Sequence, residues 1–178
     1  MARTETGTVV VVSDAGPLIH LDELGCLEFL ANYQRVLVPS EVWREVEKHR
    51  PRALLNKRVV LLKTFLQGAP TPTIRSVASL LELHRGETEA LQVALEQGAG
   101  LLLTDDAAAR LAAGNLNIAV TGTVGILMRS IRTGMASPEA IIAVLSTLSQ
   151  KSTLHIKPSL LQELIQMIET WKARPPQA

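Results

Sequence analysis

Two apolar runs in this chain end in acids. Val9-Val10-Val11-Val12 runs into Ser13-Asp14-Ala15-Gly16-Pro17, and residues 99–104 run into Asp105-Asp106. Each run reads as a buried strand, and each exit is followed by helical spacing. In open α/β sheets the carboxyl ends of strands collect ligands and chemistry, because the strand fixes the backbone while the loop leaves the side chain free. An Asp at such an exit also makes a good helix N-cap, so Asp14 alone decides nothing. Two helices add further acids. Glu45 lies three residues from Val42 and four from His49 and so flanks the Val42, Trp43, Val46 stripe, whereas Glu41 projects further away. In residues 86–98, a projection at about 100° per residue puts Glu87 on the face of Ala90, Leu91, Val93, Ala94 and Leu95 and turns Glu89 away. A first-turn acid gains roughly 0.5 kcal/mol from the helix dipole, but that does not require the inward face. Strand exits and helices together deliver more acid inward than capping needs. Asp14, Glu45, Glu87, Asp105 and Asp106 are therefore the candidate site residues.

The elements that must hold them alternate along the chain. After the first strand, residues 18–33 carry apolar side chains at mostly helical spacing, with Gly25 as a break between two short helices. A second strand is expected at residues 35–38, stopped by Pro39-Ser40, with Ser40 capping a helix over residues 41–49. The run at residues 59–62 reads equally as an edge strand or a helix turn. Another amphipathic helix runs from Ile74 to about Leu83, and a helix over residues 86–98 stops at Gly98. After Asp106 a helix passes through Ala107, Ala108, Leu111 and Ala112, a short strand is expected at residues 117–120, and a helix at 122–132. Strands alternating with helices imply an α/β fold with parallel strands and right-handed crossovers. Ser137-Pro138-Glu139 starts a helix over residues 140–148 and Pro158 one over residues 160–171, with a short strand expected at His155-Ile156 between them. Residues 8–135 form the main domain. Residues 136–172 form a helical extension whose stripe of Leu160, Leu161, Leu164, Ile165 and Ile168 suits docking on the domain or on a second copy, and residues 173–178 form a tail.

Composition narrows the class of partner. The 178 residues are 47% hydrophobic, enough for a proper core, and carry a net charge of +1. No global field drives such a chain onto nucleic acid or an anionic membrane, so any polyanion must be held locally. The single cysteine, Cys26, rules out an intramolecular disulfide and reads as packing in a reducing cytoplasm. The longest uncharged stretch, residues 111–128, is broken by Gly114, Asn115, Asn117, Gly122 and Gly125, so no membrane span and no leader are expected.

Four stretches together resemble the PIN-domain nucleases, in particular a prokaryotic branch related to toxin–antitoxin ribonucleases. They are Val12-Ser13-Asp14-Ala15-Gly16-Pro17-Leu18-Ile19, Val38-Pro39-Ser40-Glu41-Val42-Trp43-Arg44-Glu45-Val46, Gly86-Glu87-Thr88-Glu89-Ala90, and Leu103-Thr104-Asp105-Asp106 continuing to Thr121-Gly122-Thr123-Val124-Gly125. Their order and spacing, rather than any one of them, carry the likeness. The resemblance implies a three-layer α/β/α fold with a small parallel sheet, and cleavage of RNA, single-stranded in the first instance, with Mg²⁺ or Mn²⁺. It implies Asp14, Glu45, Glu87 and either Asp105 or Asp106 as metal ligands. The family's frequent Thr-x-Asp pattern favours Asp106, with Asp105, first off the strand, as the alternate. It also implies a homodimer and a small antitoxin-like protein partner.

Elementary chemistry points the same way. Carboxylates converging without Lys or Arg raise each other's pKa, and a divalent cation removes the conflict. Oxygen ligands suit Mg²⁺ or Mn²⁺, and His20, His49, His84 and His155 show no paired spacing for zinc. Arg85 and Arg110 stand beside two of the acids as candidates for phosphate contact. Aromatic content of 3% leaves little for base stacking. A haloacid-dehalogenase-like phosphatase would want a second Asp where Gly16 stands, and no glycine-rich phosphate loop follows the first strand. The rival is a PIN fold that binds RNA or a protein without cutting.

Overall fold

The computed structural model describes residues 10–172; Val9, the polar residues before it and the 173–178 tail lie outside the described residues. Its centre is a five-stranded, all-parallel sheet in the order β3-β2-β1-β4-β5, formed by β1 (Val11–Ser13), β2 (Val36–Pro39), β3 (Leu61–Thr64), β4 (Leu101–Leu103) and β5 (Ala119–Thr121). The chain winds outward from β1 through β2 to β3, then returns to lay β4 on the other side of β1. That reversal opens a crevice at the carboxyl ends of β1 and β4. Asp14 and Asp105-Asp106 are the residues that leave those two strands.

Helices cover both faces. They are α1 (Ala15–Glu23), α2 (Ser40–His49), α3 (Pro72–Leu80), α4 (Arg85–Glu96), α5 (Ala107–Asn115), α6 (Thr123–Arg132), α7 (Pro138–Ser146), α8 (Leu148–Lys151) and α9 (Pro158–Lys172). Central strands read as continuous apolar runs because both faces are covered: Val11, Val12, Val36, Val38, Leu102 and Leu103 are all buried. The sheet is small, so much of the core is helix against helix. Leu18, Leu21, Val42, Val46, Leu91, Ile126 and Leu127 belong to one cluster with the strand residues. Gly25 (φ 67°) separates α1 from a 3-10 turn at Leu27–Asn32, and Gly98 (φ 58°) ends α4, both in the left-handed region that glycine tolerates without strain. No helix among the described residues is long and apolar enough to cross a membrane.

Several elements differ from the sequence expectations, each for a local reason. The first strand reaches Ser13, which pairs with Leu103, so Asp14 sits directly at the exit. The ambiguous run near residue 60 is an edge strand two residues further on, paired to β2 from Leu61 to Thr64. The strand expected at residues 117–120 starts at Ala119, because Asn117 takes a positive φ (58°) in the turn after α5. Thr147 divides the seventh helix from α8, and residues 152–157 form no strand. Ser40 does not cap α2 with its side chain; a residue from another helix does that work.

Candidate functional site

All five acids singled out from the sequence line one open cleft of about 460 Å³ at the switch point, together with Ala15, Gly16, His20, His84 and residues 153–155. No lysine or arginine is among the lining residues. Asp14 holds the N-cap position of α1, yet its side chain makes no cap bond to that helix. Instead Thr104, the last residue before the acidic pair, donates its hydroxyl to Asp14 Oδ2 at 3.1 Å, and the Asp14 amide bonds Leu103 O at 2.8 Å. The carboxylate is only 7% exposed. Burial pushes its pKa up to about 7, and the negative charges of Glu87 and Glu45 act in the same direction against the Ala15 amide and Thr104.

Asp105 and Asp106 part company. Asp105 turns inward, where His20 Nδ1 donates to Oδ2 at 2.8 Å, the Thr123 amide to Oδ1 at 2.8 Å and the Thr123 hydroxyl to Oδ2 at 2.6 Å. Burial alone would raise its pKa, but these donors win and hold it below the usual carboxylate range. The contact requires a glycine at 122, because a Cβ there would collide with Asp105 Oδ1 and with the Arg110 guanidinium. Asp106 is exposed and caps α5 through Oδ1, which accepts the Ala109 amide at 2.7 Å.

The two glutamates reach the cleft from helices. Glu45, exposed on α2, reaches towards Asp14 across Gly86: a Cβ on Gly86 would stand 3.4 Å from Glu45 Oε2 and 4.0 Å from Asp14 Oδ1. Glu87, half-buried in the first turn of α4, accepts the His84 amide at 2.7 Å. Its pKa is raised, by burial first and then by the charges of Asp106 and Glu45, against that hydrogen bond. Glu89 is where the helical projection fails. Rather than pointing away, it is 5% exposed and accepts both Ser40 Oγ (2.7 Å) and the Glu41 amide (2.5 Å), so α4 caps α2 from outside. Of the residues that hold the two aspartates, Thr104 and Thr123 fall inside the fourth motif stretch without having been read as their partners, and His20 lies just past the first stretch.

Beside the acid cleft lies a second cleft of mixed charge, sharing Glu45 and His84 with it and lined also by Glu41, Arg44, Lys48, His49 and Arg85. Arg44 is paired with Glu41 at 2.9 Å. Among the described residues no group of three or more His, Cys, Asp or Glu converges closely enough to hold a metal ion as the side chains stand. The donor set nevertheless suits a hard divalent cation: its acids are oxygen donors, one is buried with no cation in the lining, and Glu45 and Glu87 are long enough to adjust. In comparison with known proteins, a family model described as a PIN domain matches residues 10–170. No curated protein matches the chain.

Proposed function

The chain belongs to the PIN-domain family, a fold of nucleases, and on that premise we propose that it is a divalent-metal-dependent ribonuclease hydrolysing RNA phosphodiester bonds at the switch-point acids. The observation that carries the reading is Asp14: a buried carboxylate that makes no side-chain cap bond to the helix it starts, its pKa raised to about 7 by burial and by its acidic neighbours. An uncompensated acid of that kind costs stability, and a cation favours its charged form. Asp14, Glu45, Glu87 and Asp106 would hold Mg²⁺ or Mn²⁺. When bound, that ion supplies Lewis-acid polarisation of the phosphate and activation of the attacking water.

The chain's own residues do the rest. Thr104 orients Asp14, and His20 with Thr123 fixes Asp105, which locks the β4 exit and so aims Asp106. Both Asp105 oxygens already accept donors, whereas only one Asp106 oxygen serves the α5 cap; this supports Asp106 over Asp105 as ligand. Arg85, with Lys48, offers the phosphate backbone a path into the acids. Leu55, Phe65 and Leu80 are strongly exposed apolar side chains that a second copy of the chain would cover in a homodimer. A second reading, RNA or protein binding without cleavage, is favoured by one observation: the acids do not converge on a point as they stand.

One assay separates the two. Purified protein is incubated with single-stranded RNA in Mn²⁺ or Mg²⁺ and in chelator, beside Asp14→Asn. Metal-dependent cleavage that Asp14→Asn abolishes is the expected result. Cleavage that persists in chelator and in the variant overturns the mechanism, and metal binding without cleavage leaves the binding reading.

A further inference from the structure

The segment at residues 152–157, between α8 and α9, crosses to the mouth of the acid cleft and is pinned there. Glu23, the last residue of α1, accepts Ser152 Oγ at 2.8 Å, the Thr153 amide at 2.8 Å and Thr153 Oγ1 at 3.1 Å, all on Oε2. Leu154 and Ile156 pack half-buried against the core. His155 lies between those two half-buried residues and is itself exposed. It stands in the cleft wall, with no hydrogen-bond partner among the described residues.

A cleft walled by acids repels a polyanion unless donors stand beside it to take the phosphates. From α2 and α4, Lys48 and Arg85 supply them, while Arg44 is held by Glu41. No lysine or arginine lines the acid cleft itself: the Arg110 guanidinium stands near Asp105 at Gly122 without lining it, and His20 is committed to Asp105. We infer that His155 is a substrate-contact residue, donating an imidazole N–H to a phosphate oxygen of the RNA strand where it leaves the acids, and that Glu23 is the positioning residue that sets it there. This rests on the nucleic-acid reading of the site above, and it makes the C-terminal part of the chain a wall of the site.

The test measures binding apart from chemistry. A short fluorescein-labelled oligouridine is titrated in chelator with full-length wild type, His155→Ala, His155→Gln, Glu23→Ala and Glu23→Gln, and the Mn²⁺-induced rise in Tm is recorded for each. His155→Ala is expected to weaken binding roughly tenfold or more, the loss of one hydrogen bond to a charged group. His155→Gln, which keeps a donor, recovers most of that. Glu23→Ala follows His155→Ala, Glu23→Gln lies between, and the Mn²⁺ response stays at the wild-type value throughout. Binding by His155→Ala within twofold of wild type overturns the proposal, as does a lost Mn²⁺ response or a wild type that binds no oligouridine. If the binding pattern holds and wild type still fails to cleave RNA in Mn²⁺, the nuclease reading falls and the His155 contact stands.

Discussion

At the scale of single residues, Asp14 sets a stability–function conflict that pH exposes. Its folded-state pKa of about 7 lies above the unfolded value of 3.8. Below the lower value the carboxyl is neutral in both states and costs nothing. As pH rises towards 7, the unfolded chain ionises while the folded one resists, so stability falls across that window and levels off above it. At about 1.4 kcal/mol per unit, the full loss is on the order of 4 kcal/mol. Asp14→Asn removes the charge while keeping an oxygen for the Thr104 hydroxyl. The variant is therefore expected to melt about 8–16 °C above wild type at pH 8 in chelator, with the gap closing at pH 4. Added Mn²⁺ should raise the wild-type Tm at pH 8 and leave the variant unmoved. A variant less stable than wild type at pH 8 would mean that Asp14 is already compensated in the free protein.

At the scale of elements, α2 depends on α4. The N-terminus of α2 carries no side-chain cap of its own, and the Glu89 carboxylate supplies one by taking the Ser40 hydroxyl and the Glu41 amide. Glu89→Ala strips both donors of their buried acceptor and is expected to cost about 2–3 kcal/mol, with Glu89→Gln costing less because it keeps one acceptor. Urea midpoints at constant m measure it, and a loss under about 0.5 kcal/mol from Glu89→Ala would show the cap to be idle. Because α2 carries Glu45, cleavage should fall with stability. The same pair shows what the sequence could and could not say. Strand exits were legible, since an apolar run ending in Asp leaves few places for that Asp, and the switch-point topology then carries Asp14 and Asp106 to one crevice. Glu89 was misread because a helical projection assumes one buried face, whereas α4 packs against α2, α3, α5 and three strands. The Glu23 anchor of residues 152–153 links positions far apart in the chain, which local spacing does not encode.

At the scale of the molecule, the C-terminal helices share the core of the sheet. Ile141, Leu145, Leu148 and Ile168 are buried in the same cluster as Val12 and Leu18, and α9 packs on α7. A core shared in that way should unfold in one step, and the two tryptophans report on its two ends: Trp43 lies on α2 and Trp171 on α9. Single-tryptophan variants, Trp43→Phe and Trp171→Phe, are expected to give superimposable urea transitions. Ile168→Ala, which empties a fully buried site, should shift both probes together by about 2–4 kcal/mol, while truncating the half-exposed Leu160 should move neither by more than about 0.5 kcal/mol. Coupling of this kind is what lets the end of the chain hold residues 153–155 against the acid cleft. If the Trp171 signal melts first and Ile168→Ala moves only that signal, residues 136–172 form a unit of their own, and the wall they supply to the cleft opens before the sheet does.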